Sequence, residues 1–420
     1  MGKKLKKLMC LVTGAILTAG LFAGCGSSAT SSDTSEKKGG EPVKVSLWHG
    51  WNGAEEEALG EVIKKFEEKN KDVKVETLPV AFDKLNEKLK ASLSTDQAPD
   101  LFIGPNDWVG TFAALNQLEE VDNYISDSKS DYLEKALKAG QYGGKQYGIP
   151  ESVKTYVLIY NKDLVPNPPK TIEEMRKIAK ENTKDGKYGL IFDIGNFYYD
   201  YAFFAAYGGK IFADDKGTLA FQQPELVKSL KLLNQIKNVD KVTVKDFDYN
   251  VMMDLMQTGK CAMMINGSWS FGDLDKAVKE GKGLKNWGAV TLPVLEEGKP
   301  LKPFMGTEMM YVSKNSKNKE AGAKFAKFMT SPEAQKIMNE KSGQVPINKK
   351  VETNSDWKVK VILDQVKEAE LMPVIPEMGQ VWTPVGDMYG KVLSGSSTPE
   401  KAVKEARTKI EKEIKSMHGE

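Results

Sequence analysis

Cysteine and histidine are scarce. The 420-residue chain holds three cysteines, of which Cys10 and Cys25 lie in the first 25 residues. Cys261 is then alone in the remainder, so no disulfide can form within the body. Two histidines, His49 and His418, with one cysteine cannot build a His/Cys zinc site of the usual kind, and neither metal nor cofactor is expected. Net charge is also nearly absent: Lys and Arg number 60 against 58 Asp and Glu. Without Lys3, Lys4, Lys6 and Lys7 at the extreme N-terminus the balance is 56 to 58, a net −2. Bulk electrostatics therefore gives no reason to bind nucleic acid. No repeat recurs at a fixed period. Gly-x-Ser-x-Gly is missing, with only Ser394-Gly395-Ser396 between two helical stretches in its place, and no pair of carboxylates sits in a catalytic motif. What remains is ordinary: 40% hydrophobic and 28% charged residues, enough for two or three globular domains.

The first forty residues read as an address and a tether. Lys3 to Lys7 form a basic region, Leu8 to Phe22 an apolar one, and Ala23-Gly24-Cys25 closes it. This is the pattern of a secretory signal over residues 1–24, too short for a stable membrane span. A Cys directly after two small residues resembles the bacterial lipobox, although Phe22 stands where an aliphatic residue is usual. That resemblance implies a lipid, such as palmitate, on Cys25. Residues 25–40 are rich in Ser, Thr, Gly and Lys, the composition of a flexible linker, so the folded body is expected from about Glu41.

From Val43 the chain alternates short apolar runs with amphipathic helices. Strands are expected at Val43–Trp48, Val73–Val80 and Asp100–Ile103, with helices at Glu55–Asn70 and Phe82–Leu93 between them. This rhythm predicts a largely parallel sheet covered by helices. Further strands are expected at Tyr156–Tyr160, Cys261–Ile265 and Ala289–Leu292, and helices at Thr171–Glu181 (capped by Thr171 with Glu174) and Glu225–Ile236. The C-terminal third predicts helices at Lys319–Met329, Pro332–Lys341, Trp357–Ala369, Val381–Leu393 and Pro399–Met417. In open α/β sheets ligands bind where strand C-termini open into loops. Those loops here are His49 to Gly53, Gly104 to Trp108 and Asn266 to Trp269, each with Gly or Asn, a polar side chain and an indole.

Indoles and phenols beside Asp, Asn and Lys suit carbohydrate, whose C–H faces stack on rings and whose hydroxyls need planar polar partners. Trp51, Trp108, Tyr198, Tyr199, Trp269 and Trp382 are candidates, each of which taken alone reads sooner as packing. The chain resembles the maltose/maltodextrin-binding proteins among the extracellular solute-binding proteins of ABC sugar importers. The similarity runs from about Val43 to the last helix. It is carried by Leu158-Ile159-Tyr160-Asn161-Lys162-Asp163-Leu164 with Pro166 to Thr171 after it, by Gly186 to Phe192 with Tyr198 and Ala205 to Gly209, by Ala262 to Trp269, and by Met372-Pro373 and Ile375-Pro376 leading to Trp382.

The resemblance implies an α/β, two-lobed periplasmic-binding-protein-like fold with discontinuous lobes and a hinge. One lobe would take residues 41–152 plus about 308–352, the other 153–307 plus about 353–420. It places an aromatic platform on Tyr198, Trp269 and Trp382, a sugar contact on Met372, and a hydroxyl-binding carboxylate on Asp107. Three positions depart from the family's pattern: Gly104 replaces a Trp, Trp108 an Arg, and Lys154 a Glu of the hinge region. Trp51, Asn52 and Lys154 join the candidate ligand-binding set, with Asn196 and Glu308 held apart as nearby loop residues. Other readings stay open: Asp107 suits a helix N-cap, Lys154 a solvated strand end, and Asn52-Gly53 a turn.

Together with the missing catalytic motifs, the resemblance implies a monomeric binding protein, not an enzyme. It would be lipid-anchored on the outer face of a cell membrane of Gram-positive type and would pass maltodextrin-type oligosaccharides to the permease subunits of an ABC importer. Rival readings are the same fold with another oligosaccharide (a cyclodextrin or a non-glucan), a glycoside-acting enzyme, or a surface adhesin.

Overall fold

The computed structural model describes residues 41–419, apart from positions 222, 246, 296–297 and 354–355. The expected signal peptide, linker and lipid-bearing Cys25 lie outside the described residues. In chain order the first part runs β1 (Val43–His49), α1 (Gly53–Lys69), β2 (Val73–Pro79), α2 (Phe82–Ser92), β3 (Leu101–Pro105), α3 (Trp108–Ala114), α4 (Glu134–Lys138), a small hairpin β4 (Gln141–Tyr142) and β5 (Lys145–Gln146), then β6 (Gly148–Lys154). The middle holds β7 (Tyr156–Asn161), α5 (Ile172–Asn182), β8 (Tyr188–Ile191), α6 (Phe197–Ala206), α7 (Gln223–Asn234), α8 (Tyr249–Gln257), β9 (Cys261–Gly267), α9 (Phe271–Glu280) and β10 (Trp287–Val290). The last part is β11 (Phe304–Val312), α10 (Lys319–Met329), α11 (Pro332–Ser342), β12 (Val345–Pro346), α12 (Trp357–Glu368), β13 (Glu370–Leu371), α13 (Trp382–Leu393) and α14 (Pro399–His418).

Two sheets organise these elements. The larger has the order β12-β6-β11-β3-β1-β2, with β13 attached to β11; the smaller has the order β10-β7-β9-β8. The chain leaves the larger sheet at Lys154 and enters the smaller at Tyr156, returning only with β11. The expectation of a largely parallel sheet is corrected. β1 is parallel to β2 and β3, but β11 is antiparallel to β3 and β6, and β12 to β6. In the smaller sheet β7 is antiparallel to β9 and β10, and only β8 and β9 run parallel. The β-α-β rhythm dictates direction only where strands follow one another through a helix. β6 and β11 are paired from distant stretches of chain, so the local rhythm does not govern them.

Local signals explain several helix boundaries. Thr171 accepts from the Glu174 amide at 3.1 Å while Glu174 returns a bond to the Thr171 amide, the reciprocal cap that the spacing predicts. Ser331 caps α11 with Pro332 in its first turn, and Thr398 caps α14 before Pro399. The expected strand at Ala289–Leu292 lies two residues earlier, at Trp287–Val290, where the Trp287 side chain is buried. Helix α7 passes at Gln235 into a wider turn running to Asp240 instead of ending at Ile236.

Candidate functional site

Strand ends supply the site. β1 ends at His49 and the chain turns through Gly50 into Trp51, which is buried at 6% exposure. β6 ends at Lys154, buried at 7%. Lys154 is therefore no solvated strand end: its Nζ lies 2.6 Å from Glu55 Oε1 and 3.9 Å from Glu308 Oε2. The same ammonium sits 5.8 Å from the ring centres of both Trp51 and Trp269, within reach of a cation–π attraction to each. The same Glu55 oxygen also accepts from Gln344 Nε2 at 2.7 Å. Burial opposes the Lys154 charge, but Glu55, Glu308 and Glu151 together raise its affinity for the proton.

Glu151 arrives through an irregularity. Along the β6–β11 ladder Ser152 faces Glu308 but Pro150 faces Met309, so Glu151 is the extra residue of a bulge. Proline is tolerated there because a bulge interrupts the ladder. The Glu151 carbonyl accepts from Gln335 Nε2, while both its carboxylate oxygens are buried without a hydrogen-bond partner. Burial pushes the Glu151 carboxyl up to about 8, against the pull of Lys154. Glu308 is pushed to about 7 for the same reason.

Asp107 does not cap α3. It precedes Trp108 in helical conformation with no bond from its side chain to the helix. Its Oδ2 instead accepts from Trp382 Nε1 at 3.0 Å, joining the loop after β3 to the start of α13. Oδ1 is buried without a partner, and burial raises the carboxyl to about 7 despite the Trp382 bond. Neighbouring Asn106, fully buried, accepts from the Thr307 amide at 2.9 Å and donates to the Met372 carbonyl at 3.2 Å, which stitches the same loop to β11 and to the segment before α13.

Three of the aromatic candidates are linked by ring contacts. Tyr198 stacks on Phe304 (6.3 Å between centroids) and lies 6.3 Å from Trp269; Trp382 sets its edge on Phe304 at 6.2 Å. Tyr198, Trp269 and Trp382 are only partly buried. Phe304 is the floor that Tyr198 and Trp382 share. Two indoles rest on glycine: a Cβ on Gly104 would come within 2.4 Å of the Trp108 ring, and one on Gly267 within 2.0 Å of the Trp269 ring. Gly104 and Trp108 are thus one feature, the flat residue making room for the other's ring.

The structure does not bring every candidate into this group. Trp108 is buried against Phe82 and Phe112. Met372 is buried with its main chain bound to Asn106, and Tyr199 is buried with its hydroxyl on Asn266. Asn52 is exposed and makes no capping bond, and Asn196 caps α6 by accepting from the Tyr198 amide. Sequence reasoning missed Glu55 and Glu151. Glu55 reads as an ordinary first-turn acid of α1, and Glu151 lies in a Pro- and charge-bearing segment that does not announce a strand.

A family model described as bacterial extracellular solute-binding protein matches residues 61–365. The chain belongs to that family. A maltotriose-binding protein of Pyrococcus abyssi is 30% identical to this solute-binding chain over 90% of its length and 83% of the relative's. A maltooligosaccharide ABC transporter solute-binding lipoprotein of Streptococcus pneumoniae is 29% identical over the whole of both chains. The solved Thermus thermophilus maltotriose-binding protein, bound with maltotriose, superposes with a TM-score of 0.82 at 30% identity, covering 88% of this chain and all of that one. The solute-binding chain shares their two-lobed fold. These relatives are binding proteins, not enzymes.

Proposed function

We propose that this solute-binding chain captures maltooligosaccharides and presents them to the membrane permease of an ABC importer without chemically altering them. The observation that carries this reading is the linked aromatic group of Tyr198, Trp269 and Trp382, flanked by the Asp107 and Glu308 carboxyls. Rings stack on pyranose faces, while buried carboxyls with open valences exchange hydrogen bonds with hydroxyls. Lys154, with Trp51 beside it, supplies a fixed positive charge at the same place.

The lobes divide in this reading as residues 41–152 with about 308–352 and residues 153–307 with about 353–420, hinged near Thr155 and the start of β11. A monomer tethered through lipidated Cys25 would keep the lobes free to close on the outer face of the membrane, as suits a cell of Gram-positive type. The name of the Streptococcus relative supports the anchor.

Calorimetry and intrinsic fluorescence against maltose, maltotriose, longer maltodextrins, cyclodextrin and a non-glucan oligosaccharide test the proposal. Maltodextrins are expected to give saturable heat and a shifted Trp emission, with the non-glucan weaker by about tenfold or more, equivalent to ~1.4 kcal/mol. Chromatography of the same mixtures should recover only the input sugars. Preference for cyclodextrin or the non-glucan would reassign the ligand, and cleavage products would overturn the binding role.

A further inference from the structure

Helix α1 begins with an unused cap. Asn52 holds the N-cap position in extended conformation, yet its side chain makes no bond to the helix. The first amides of a helix have no partner within it and carry the positive end of its dipole. Here the Ala54 amide donates instead to Asp273 Oδ1 at 3.0 Å, a residue 219 positions away in the first turn of α9. Helix α1 follows a strand of the larger sheet and α9 one of the smaller, so the contact joins elements of different sheets.

The surrounding residues are shaped for that approach. Gly53 has φ +53°, and a Cβ there would lie 2.7 Å from both Asp273 carboxylate oxygens. A Cβ on Gly272 would lie 2.7 Å from the Ala54 Cβ and 2.5 Å from the Lys341 carbonyl oxygen. One turn along, Lys276 of α9 meets Glu57 of α1 at 2.5 Å. Burial raises the Asp273 carboxyl, as expected for a carboxylate taken from water into a contact, and neighbouring Glu55 and Glu57 add to the effect.

We propose that Asp273 is a closure latch, a residue of one lobe that caps a helix of the other only when the lobes shut, and so sets how long ligand stays bound. The proposal rests on the sugar-binding reading above. In an open form the Ala54 amide and the Asp273 carboxylate each return to water, so the bond adds stability to the closed state alone. Ligand binding gains whatever the closed state gains. Asp273 touches no candidate sugar contact and is a positioning residue.

Two variants test it, D273A and D273N, the second keeping an acceptor oxygen without the charge. Stopped-flow fluorescence with maltotriose should show D273A releasing sugar about tenfold faster with association within about twofold of wild type, the size expected for one charge-assisted bond. D273N should fall between. Thermal unfolding of sugar-free protein should be nearly unchanged, because that protein is mostly open and its minor closed fraction adds little to its stability. Spin-label distances between K64C and K279C should show a smaller closed population in D273A, and this readout needs no sugar. Absence of maltotriose binding by wild type would refute the sugar reading alone. Identical release rates and distance distributions in wild type and D273A would overturn the latch. So would a sugar-free melting temperature that falls with D273A, since the bond would then belong to both states.

Discussion

At Gly267 one missing methyl group decides where an indole lies. The Trp269 ring occupies the space a Cβ would need, and the same arrangement recurs at Gly104 beneath Trp108. Replacing Gly267 by Ala must push the Trp269 ring off its seat, because the strand backbone below cannot retreat. Overpacking of this kind typically costs about 1–3 kcal/mol. G267A is therefore expected to lower the melting temperature modestly and to weaken maltotriose binding by about tenfold or more, read by calorimetry, since the displaced ring no longer continues the surface of Tyr198 and Trp382. At this scale the sequence was informative about residue type and poor about position. Tyr198, Trp269 and Trp382 are legible as aromatic candidates and are linked by ring contacts, whereas Trp51 and Trp108, equally prominent in the sequence, are packed inside. Periodicity and loop chemistry cannot tell an indole that faces a ligand from one that fills a gap, because both sit beside glycine.

The bulge in β6 is the element that arms the site. A regular ladder would alternate Pro150, Glu151 and Ser152 across the sheet; the extra residue breaks that alternation and leaves Glu151 buried beside Lys154 and Glu308. A buried acid whose carboxyl is raised favours the folded state fully only below its unfolded pKa, near 4. That contribution is lost as pH climbs through the folded value of about 8. E151Q removes the ionisation. Its stability relative to wild type should therefore rise between pH 4 and pH 8, by on the order of a few kcal/mol, in denaturant unfolding followed at several pH values. A difference that stays flat with pH would mean that Glu151 is not buried against its charge. Strand β6 does not announce itself in the sequence, for a physical reason: Pro150, Glu151 and Lys154 carry poor strand propensity, and pairing on both sides with β11 and β12 compensates. The helices of the C-terminal third, by contrast, were legible almost to the residue, since their caps and apolar stripes act locally.

For the whole molecule the relevant distances are those from membrane to body and from lobe to lobe. The tether lies outside the described residues, and among those described no helix is long and apolar enough to cross a membrane. If Cys25 carries the lipid, C25S should move the protein from the membrane fraction to the medium while leaving maltotriose affinity unchanged, and intact mass should lose the acyl groups. Stable anchoring takes more than one chain, so partial acylation would show as partial release. The Asp107–Trp382 bond and the Asp273–Ala54 bond both cross from segments near the larger sheet to segments near the smaller.

The sequence alone determined helices α1, α2, α5, α7 and α10 to α14, the first three strands, and the chemistry of the ligand class, because each is written in neighbouring residues. Tertiary structure decided the rest. It turned an expected parallel sheet into a mixed one by bringing in β6 and β11 from afar. Of the readings open for Asp107 it removed the helix cap and gave the carboxylate Trp382 as a partner, and of those open for Lys154 it removed the solvated strand end and set the ammonium among buried carboxyls. In each case the deciding partner lies at least 99 residues away along the chain, beyond the reach of any local pattern.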